Sequence, residues 1–231
     1  MSRLEKIRKN IFTKGNSYGV EVELFDDNKN HEVILHRGCT SRFRENELIE
    51  SVMECLNKKG IEFSVLSDES CCGLMLFDLG DIESGKKIVE ANIRKFRKHG
   101  VKKIITICPG CYESFTKYYM DFDIEVIFAL DLFEDIMVDG KGFIIHDPCH
   151  ALERSTQIRQ IIRNVPQRRA NSCCGFGVGL KTGDKNKALD VSKKTLSGDK
   201  VVTYCPSCYH TLNRVDSNKT TDVFTLIKDK L

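Results

Sequence analysis

Short apolar runs and apolar stripes alternate along this chain in a fixed order. Val33-Ile34-Leu35 is a β-branched run that leads to Cys39. Helical spacing follows over 44–59, with Leu48, Val52, Cys55 and Leu56 on one stripe, and 61–66 then reads as a strand leading to Cys71. Helical spacing returns over 81–99 (Ile82, Val89, Ile93, Phe96), and Gly100 suits the helix end. A strand over 101–107 runs into Cys108, and 111–120 reads as a helix. The order β-α-β-α-β-α then recurs. Phe143-Ile144-Ile145 precedes Cys149, a helix is expected over 153–164, and a less regular segment leads to Cys173. A helix over 184–197, a strand over 201–204 and a helix opened by Cys208 complete the second round.

This alternation predicts an α/β fold of two pseudo-symmetric βαβαβα units, Rossmann-like, with parallel sheets and helices on their faces. The expected division is an N-terminal segment 1–31, a first domain 32–140 and a second domain 141–231. In such sheets ligands gather beyond the carboxyl ends of the strands. Ten of the cysteines fall there, so each unit can bring five thiols together.

The cysteines make the repeat explicit. The first set is His36-x2-Cys39, Cys71-Cys72-Gly73 and Cys108-Pro109-Gly110-Cys111-Tyr112. The second is His146-x2-Cys149, Cys173-Cys174-Gly175 and Cys205-Pro206-Ser207-Cys208-Tyr209. Landmarks recur 110, 102 and 97 residues apart, a period that indicates a duplicated domain and not a solenoid. Cys55, the eleventh, sits on an apolar helical stripe and is expected in the core.

The rest of the composition narrows the setting. A chain of 231 residues that is 41% hydrophobic can bury a core. The formal charge of +3, with both signs interspersed, argues against nucleic acid or a membrane surface as partner. Residues 1–10 are charged and lack a secretory apolar stretch, and no run approaches the roughly 18 apolar residues that span a bilayer. The expectation is a cytoplasmic protein without membrane insertion, where thiols stay reduced.

Four chemistries compete for these thiols. Disulfides fit poorly with adjacent cysteines such as Cys71-Cys72. Zinc at one site, held by the CxxC pairs, would leave six patterned cysteines unused. Thioredoxin-like exchange at CPGC and CPSC explains four cysteines but not the CCG segments. Two iron–sulfur clusters account for all ten: Cys39, Cys71, Cys72, Cys108 and Cys111 on one, and Cys149, Cys173, Cys174, Cys205 and Cys208 on the other. Gly73 and Gly175 would let backbone N–H groups approach cluster sulfurs. Five thiolates exceed the corners of a [4Fe–4S] cube, which leaves a free thiol or a cluster that is not a simple cube.

Around the motifs, His36 and His146 could hydrogen-bond a cluster sulfur or deliver a proton to a leaving thiolate. His150 and His210 occur only beside the second motif. The second site is therefore the expected place for proton-coupled chemistry, with His150, His146, Cys173 and Cys174 as its catalytic candidates. Asp147 is expected to cap the following turn. Gly175-x-Gly177-x-Gly179 lacks the GxGxxG spacing of a nucleotide site. The basic run 94–99 is expected to be a solvated helix face.

These segments, His36-Arg37-Gly38-Cys39, Glu69-Ser70-Cys71-Cys72-Gly73, Cys108-Pro109-Gly110-Cys111, His146-Asp147-Pro148-Cys149-His150, Cys173-Cys174-Gly175 and Cys205-Pro206-Ser207-Cys208, resemble the CCG (cysteine-rich) domain family over roughly 32–231. That family includes catalytic subunits of heterodisulfide reductases and iron–sulfur subunits of glycolate, lactate and glycerol-3-phosphate dehydrogenases. The resemblance implies two noncubane [4Fe–4S] clusters and an oxidoreductase of the heterodisulfide reductase type. A small disulfide or thiol would be its substrate, and a ferredoxin-domain iron–sulfur protein or a flavoprotein would be its partner. It equally admits an electron-transfer subunit of a flavin-linked hydroxy-acid or glycerol-3-phosphate dehydrogenase. Two departures stand out. The 23-residue gap between Cys149 and Cys173 is shorter than the family's usual spacing, and the chain has no CxxCxxCxxxCP run, so electrons would come from a partner. Residues 11–22 resemble the linker between ferredoxin and CCG parts in fused relatives.

Overall fold

In the computed structural model the described residues are 2–24, 31–166, 173–177, 180 and 183–231. They form a mixed α/β protein with short parallel sheets. The chain divides into two compact units: residues 1–44 with 62–128, and residues 45–61 with 129–231.

In the first unit, helix α1 (Arg3–Lys14) starts at a capping box between Ser2 and Glu5 and ends at the left-handed Gly15. Strand β1 (Val33–His36), helix α2 (Cys39–Arg44), helix α4 (Leu74–Asp78), helix α5 (Ile82–Lys98), strand β2 (Lys103–Thr106), helix α6 (Pro109–Tyr118) and strand β3 (Glu125–Phe128) follow. The sheet order is β1-β2-β3, all parallel, with Ile34 beside Ile104 and Ile104 beside Val126. Ile34, Leu35, Ile104 and Ile105 are all buried, as expected of a parallel sheet covered on both faces.

The second unit takes helix α3 (Asn46–Lys58) from between those elements. Its stripe of Leu48, Ile49, Val52, Cys55 and Leu56 packs on helix α10 (Val223–Lys228). Cys55 is fully buried with its Sγ 3.8 Å from the Phe224 carbonyl. Strand β5 (Phe143–His146), helix α7 (Ser155–Ile161), helix α8 (Lys185–Thr195), strand β7 (Lys200–Thr203), helix α9 (Pro206–Asn213) and strand β8 (Thr220–Asp222) carry the rest. β5-β7-β8 is a parallel sheet, while β4 (Val138–Asp139) and β6 (Ile162–Arg163) form a separate parallel pair.

Several expected elements differ. The strand expected over 61–66 is a single parallel bridge, Ser64 to Ile34. The carbonyls beyond it are taken by side chains instead: Leu66 by Arg37, Ser67 and Glu69 by Arg42, and Asp68 by Lys95. The helix expected over 44–59 is α3, which starts at Asn46, and the separate short helix α2 precedes it. That over 153–164 stops at Ile161, where the chain extends into β6. The helix after Cys108 begins earlier than expected because Pro109 occupies its first position. Part of the irregular segment before Cys173, and Gly179, lie outside the described residues. Among the described residues no helix is long and apolar enough to cross a membrane.

Candidate metal centres

Each thiol set is assembled by the strand ends of its own unit. Cys39 follows β1 at the start of α2, and Cys108 follows β2 as the N-cap of α6, with Cys111 in the first turn. Cys205 and Cys208 repeat that arrangement between β7 and α9. A helix N-terminus stabilises thiolate there.

The five thiols of the first set form one hydrogen-bonded chain: Cys39 to Cys71, Cys71 to Cys72, Cys72 to Cys111 and Cys111 to Cys108. Hydrogen bonds from Cys111 and Cys71, with help from His36, push the Cys72 thiol well below the usual range. Its neighbours Cys71 and Cys111 are pushed up, first by their thiol partners and then by burial.

The second set links four thiols: Cys173 to Cys174, Cys174 to Cys208 and Cys208 to Cys205. Cys174 is the lowered thiol, through hydrogen bonds from Cys173 and Cys208 and from His146. The ligand atoms of His146, Cys174 and Cys208 lie within 4.8 Å of one another, the one such group among the described residues. Cys149, grouped with these four by the sequence pattern, is exposed at the start of a 3₁₀ turn and makes no hydrogen bond to another thiol among the described residues. His150, in the same turn, is half-buried.

Both CCG loops turn through a left-handed glycine. Gly73 and Gly175 have φ of +91° and +81°. Their N–H groups donate to cysteine sulfurs, Gly73 to Cys71 at 3.5 Å and Gly175 to Cys173 at 3.4 Å. At 175 a side chain is excluded twice over, since a Cβ would stand 2.4 Å from the Ala188 carbonyl.

The cysteine carbonyls are held from the helices. Asn92 donates to Cys71 O at 2.9 Å, while Ser114 and Tyr119 donate to Cys72 O at 2.8 and 3.0 Å. In the second unit Ser192 donates to Cys174 O and Thr195 to Cys173 O. Sequence reasoning passed over all five; Asn92 on an apolar stripe was the available signal. Glu69 was also missed. Its buried carboxylate accepts from the N–H groups of Arg37 and Gly38 and from Arg37 Nε, tying the Cys71 loop to the Cys39 loop. Burial pushes the Glu69 carboxyl up, but His36, Arg37 and Arg42 outweigh it and hold it below the usual range.

The expected roles of other residues shift. Asp147 accepts both Arg159 amino groups at 3.0 Å and the Tyr204 hydroxyl at 3.0 Å. His210 is buried against Glu45, 2.5 Å away. In the basic run, Lys95 turns inward to the Asp68 carbonyl and to Ser70, and His99 is buried 3.8 Å from Asp68.

The floors of both sets test whether a sulfide-rich group fits. His36 and Thr106 are register partners, as are His146 and Thr203. In each pair one histidine nitrogen and the threonine hydroxyl are buried without a hydrogen-bond partner. Two orphaned polar pairs at equivalent positions beside converging thiols suit a ligand rich in acceptors.

The cysteine-rich domain family, CCG, matches residues 33–116 and 143–213. The chain belongs to the CCG family. Its relatives include a subunit of the CoM/CoB fumarate reductase from Methanothermobacter marburgensis, 27% identical over 81% of this chain. A subunit of the dihydromethanophenazine:CoB–CoM heterodisulfide reductase from Methanosarcina mazei is 24% identical over 86% of it. An EtfAB:quinone oxidoreductase from Syntrophomonas wolfei is 28% identical over 79%. This CCG protein spans 42%, 57% and 31% of their own lengths, about half or less of the curated relatives it matches. Both matched stretches of the CCG family carry a full set of the motif cysteines described above.

Proposed function

We propose that this chain is an iron–sulfur oxidoreductase subunit carrying two clusters of the noncubane [4Fe–4S] type, one on each CCG set. It performs heterodisulfide or thiol–disulfide redox chemistry in the cytoplasm, with electrons from a ferredoxin-like iron–sulfur protein or a flavoprotein. The observation that carries this reading is the convergence of nine thiols into two hydrogen-bonded chains, with Cys39, Cys108, Cys111, Cys205 and Cys208 set just beyond the ends of parallel strands. The matching sheets β1-β2-β3 and β5-β7-β8 support two Rossmann-like units in pseudo-symmetry, the first spanning 32–140 and the second 141–231.

All ten motif cysteines are ligands in this reading, with Cys149 closing onto the second cluster when it is bound. Such a cluster supplies electrons singly, so a disulfide is opened in two steps. Opening a disulfide to two thiols consumes two electrons and two protons. In this reading His146, buried beside Cys174, and His150, in the next turn, hold those protons. Gly73 and Gly175 keep their N–H groups against thiolate sulfur.

A relay role has its own support: the likeness to the EtfAB:quinone oxidoreductase favours an electron-transfer subunit serving a flavoprotein. Anaerobic purification with iron and acid-labile sulfide assays tests the cluster claim. Two clusters give about eight irons and as many sulfides per chain; stoichiometric zinc without sulfide would reject it. Adding small disulfides to reduced protein and recording the electron-spin signal separates the readings. A perturbed signal supports catalysis, and indifference to every disulfide supports relay.

A further inference from the structure

The two units differ where the helices behind each CCG loop meet. In the first, Phe77 lies over Gly85 of α5 and stacks on Tyr118 of α6, ring centroids 3.7 Å apart and nearly coplanar. That pair fills the cleft between α5 and α6. Counted from the CxxC pair, the place of Tyr118 is taken in the second unit by Val215. There the cleft between α8 and α9 is a cavity of about 300 Å³.

Its lining has a definite chemistry. Lys185 and Leu189 lie one turn apart on α8, and Arg214 and Val215 stand at the end of α9. Gly175, from the loop of Cys173 and Cys174, also lines it. Among the described residues no carboxylate does. Glu45 is engaged by the His210 imidazole, and Asp184 and Asp216, next to these cations in sequence, accept backbone N–H groups. Lys185 and Arg214 make no ion pair among the described residues, and the buried Thr211 hydroxyl has no hydrogen-bond partner. Two exposed cations lining one cavity beside apolar walls, neither in an ion pair among the described residues, describe a receptor for an anion with an apolar body.

We propose that the α8–α9 cleft binds a small organic anion, a carboxylate or phosphate ester, held by Lys185 and Arg214 with its carbon chain against Leu189 and Val215. The use of this anion by the second thiol set rests on the function proposed above; the binding itself does not. An anionic group seated here would bring the rest of the molecule to the loop of Gly175.

The test is calorimetric titration of anaerobically purified, intact protein with three probes: 3,3′-dithiodipropionate, the neutral bis(2-hydroxyethyl) disulfide and inorganic phosphate. Wild type is expected to bind the dicarboxylate at least tenfold more tightly than the neutral disulfide. The double variant Lys185→Gln, Arg214→Gln should lose that preference while retaining iron, sulfide and melting temperature. The conservative Arg214→Lys variant should keep most of it. Equal affinity for charged and neutral disulfides, or a preference that survives the double substitution, overturns the proposal. Inorganic phosphate binding as tightly as the dicarboxylate overturns the organic part. Charge-selective binding by protein lacking iron would instead uphold the cleft and sink the redox reading.

Discussion

The first thiol set is a linked chain of five sulfurs, with Cys71, Cys72 and Cys111 buried, whereas the second links four, two of which lie with the His146 imidazole within 4.8 Å of one another, and leaves Cys149 exposed. The motifs are the same, so the difference comes from what holds them. The Cys71-Cys72 loop is tied by Asn92, Ser114 and Tyr119 from two helices and by Glu69 to the Cys39 loop. The Cys173-Cys174 loop is tied by Ser192 and Thr195, both on α8. A repeated cysteine pattern fixes which atoms can bind; the surrounding hydrogen bonds decide how far the site is formed before anything binds. On this view the first site is preorganised and the second completes itself on loading.

The sharpest break of this comparison removes the central thiol of each set. Cys72→Ala should lower iron from about eight to about four per chain, and Cys174→Ala should do the same for the other half. Each variant should retain the spin signal of the untouched site. Loss of all iron from either single variant would show that the sites load together, and full retention would remove that thiol from the ligand set.

Acid and base sharpen it next, because the two units carry buried carboxyls shifted in opposite directions. Burial, aided by the charge of Glu45, pushes Asp222 up to about 7. An unfolded chain ionises this group near pH 4, while the folded one keeps it protonated until about pH 7. The second unit therefore loses stability as pH rises through that window, by about 4 kcal/mol in all, and no further above it. Asp222→Asn keeps the N-cap hydrogen bond to Phe224 and removes the ionisation. It should leave stability unchanged at pH 3.5 and raise it by about 4 kcal/mol at pH 8. Glu69 runs the other way: its lowered carboxyl stabilises the first unit above about pH 4, and that contribution fades in acid. Glu69→Gln should cost about 3 kcal/mol at neutral pH. Denaturant melts of the protein across pH, with tryptophan-free far-ultraviolet dichroism as the signal, check both slopes. Parallel pH profiles for the two variants would refute the opposed assignment.

How much of this was legible in the chain follows from the range of the interactions. The strands were readable because β-branched runs such as Val33-Ile34-Leu35 and Phe143-Ile144-Ile145 need only local pattern. The helices after the CxxC pairs were readable but not their starts, which Pro109 and Pro206 set earlier than Cys111 and Cys208. Partners distant in sequence were not. Nothing near Glu69 announces Arg37, 32 residues away, and Tyr119 reaches Cys72 across 47. The strand expected over 61–66 failed for the same reason: side chains of Arg37, Arg42 and Lys95 claim carbonyls at its far end. Cys149 is grouped by motif with four thiols to which it makes no hydrogen bond among the described residues, since motif spacing records ligand identity and not the state of the loop.

Alkylation of cluster-free protein probes that last point directly. Exposed Cys149 should react with iodoacetamide at least about tenfold faster than buried Cys71, Cys111 or Cys208, whose thiols are also held protonated. Exposed Cys173 should lag behind Cys149, because its neighbour Cys174 and partial burial push it up. Reconstitution with iron and sulfide should then protect Cys149. Mass mapping that shows Cys149 equally reactive before and after loading would remove it from the second site and leave the two sets with different ligand counts.

The smallest effect concerns the extra tie in the first unit. Tyr119 is buried, and burial holds its phenol protonated, so the hydroxyl remains a donor to Cys72 O at all ordinary pH. Tyr119→Phe removes that donor and the acceptor for Asn92, but Ser114 still serves Cys72 O and Asn92 still serves Cys71 O. With both groups keeping one partner, the cost is about 1 kcal/mol and not the larger penalty of an orphaned carbonyl. Thr195→Val removes the one side-chain donor to Cys173 O among the described residues, so it should cost slightly more, about 1.5 kcal/mol. The redundancy is the point of the comparison: the first loop should tolerate loss of one tie and keep its spin signal in place, while the second should shift. Equal spectral shifts in the two variants would mean that preorganisation does not depend on the number of ties, and the account of why one set is formed and the other half-open would fall with it.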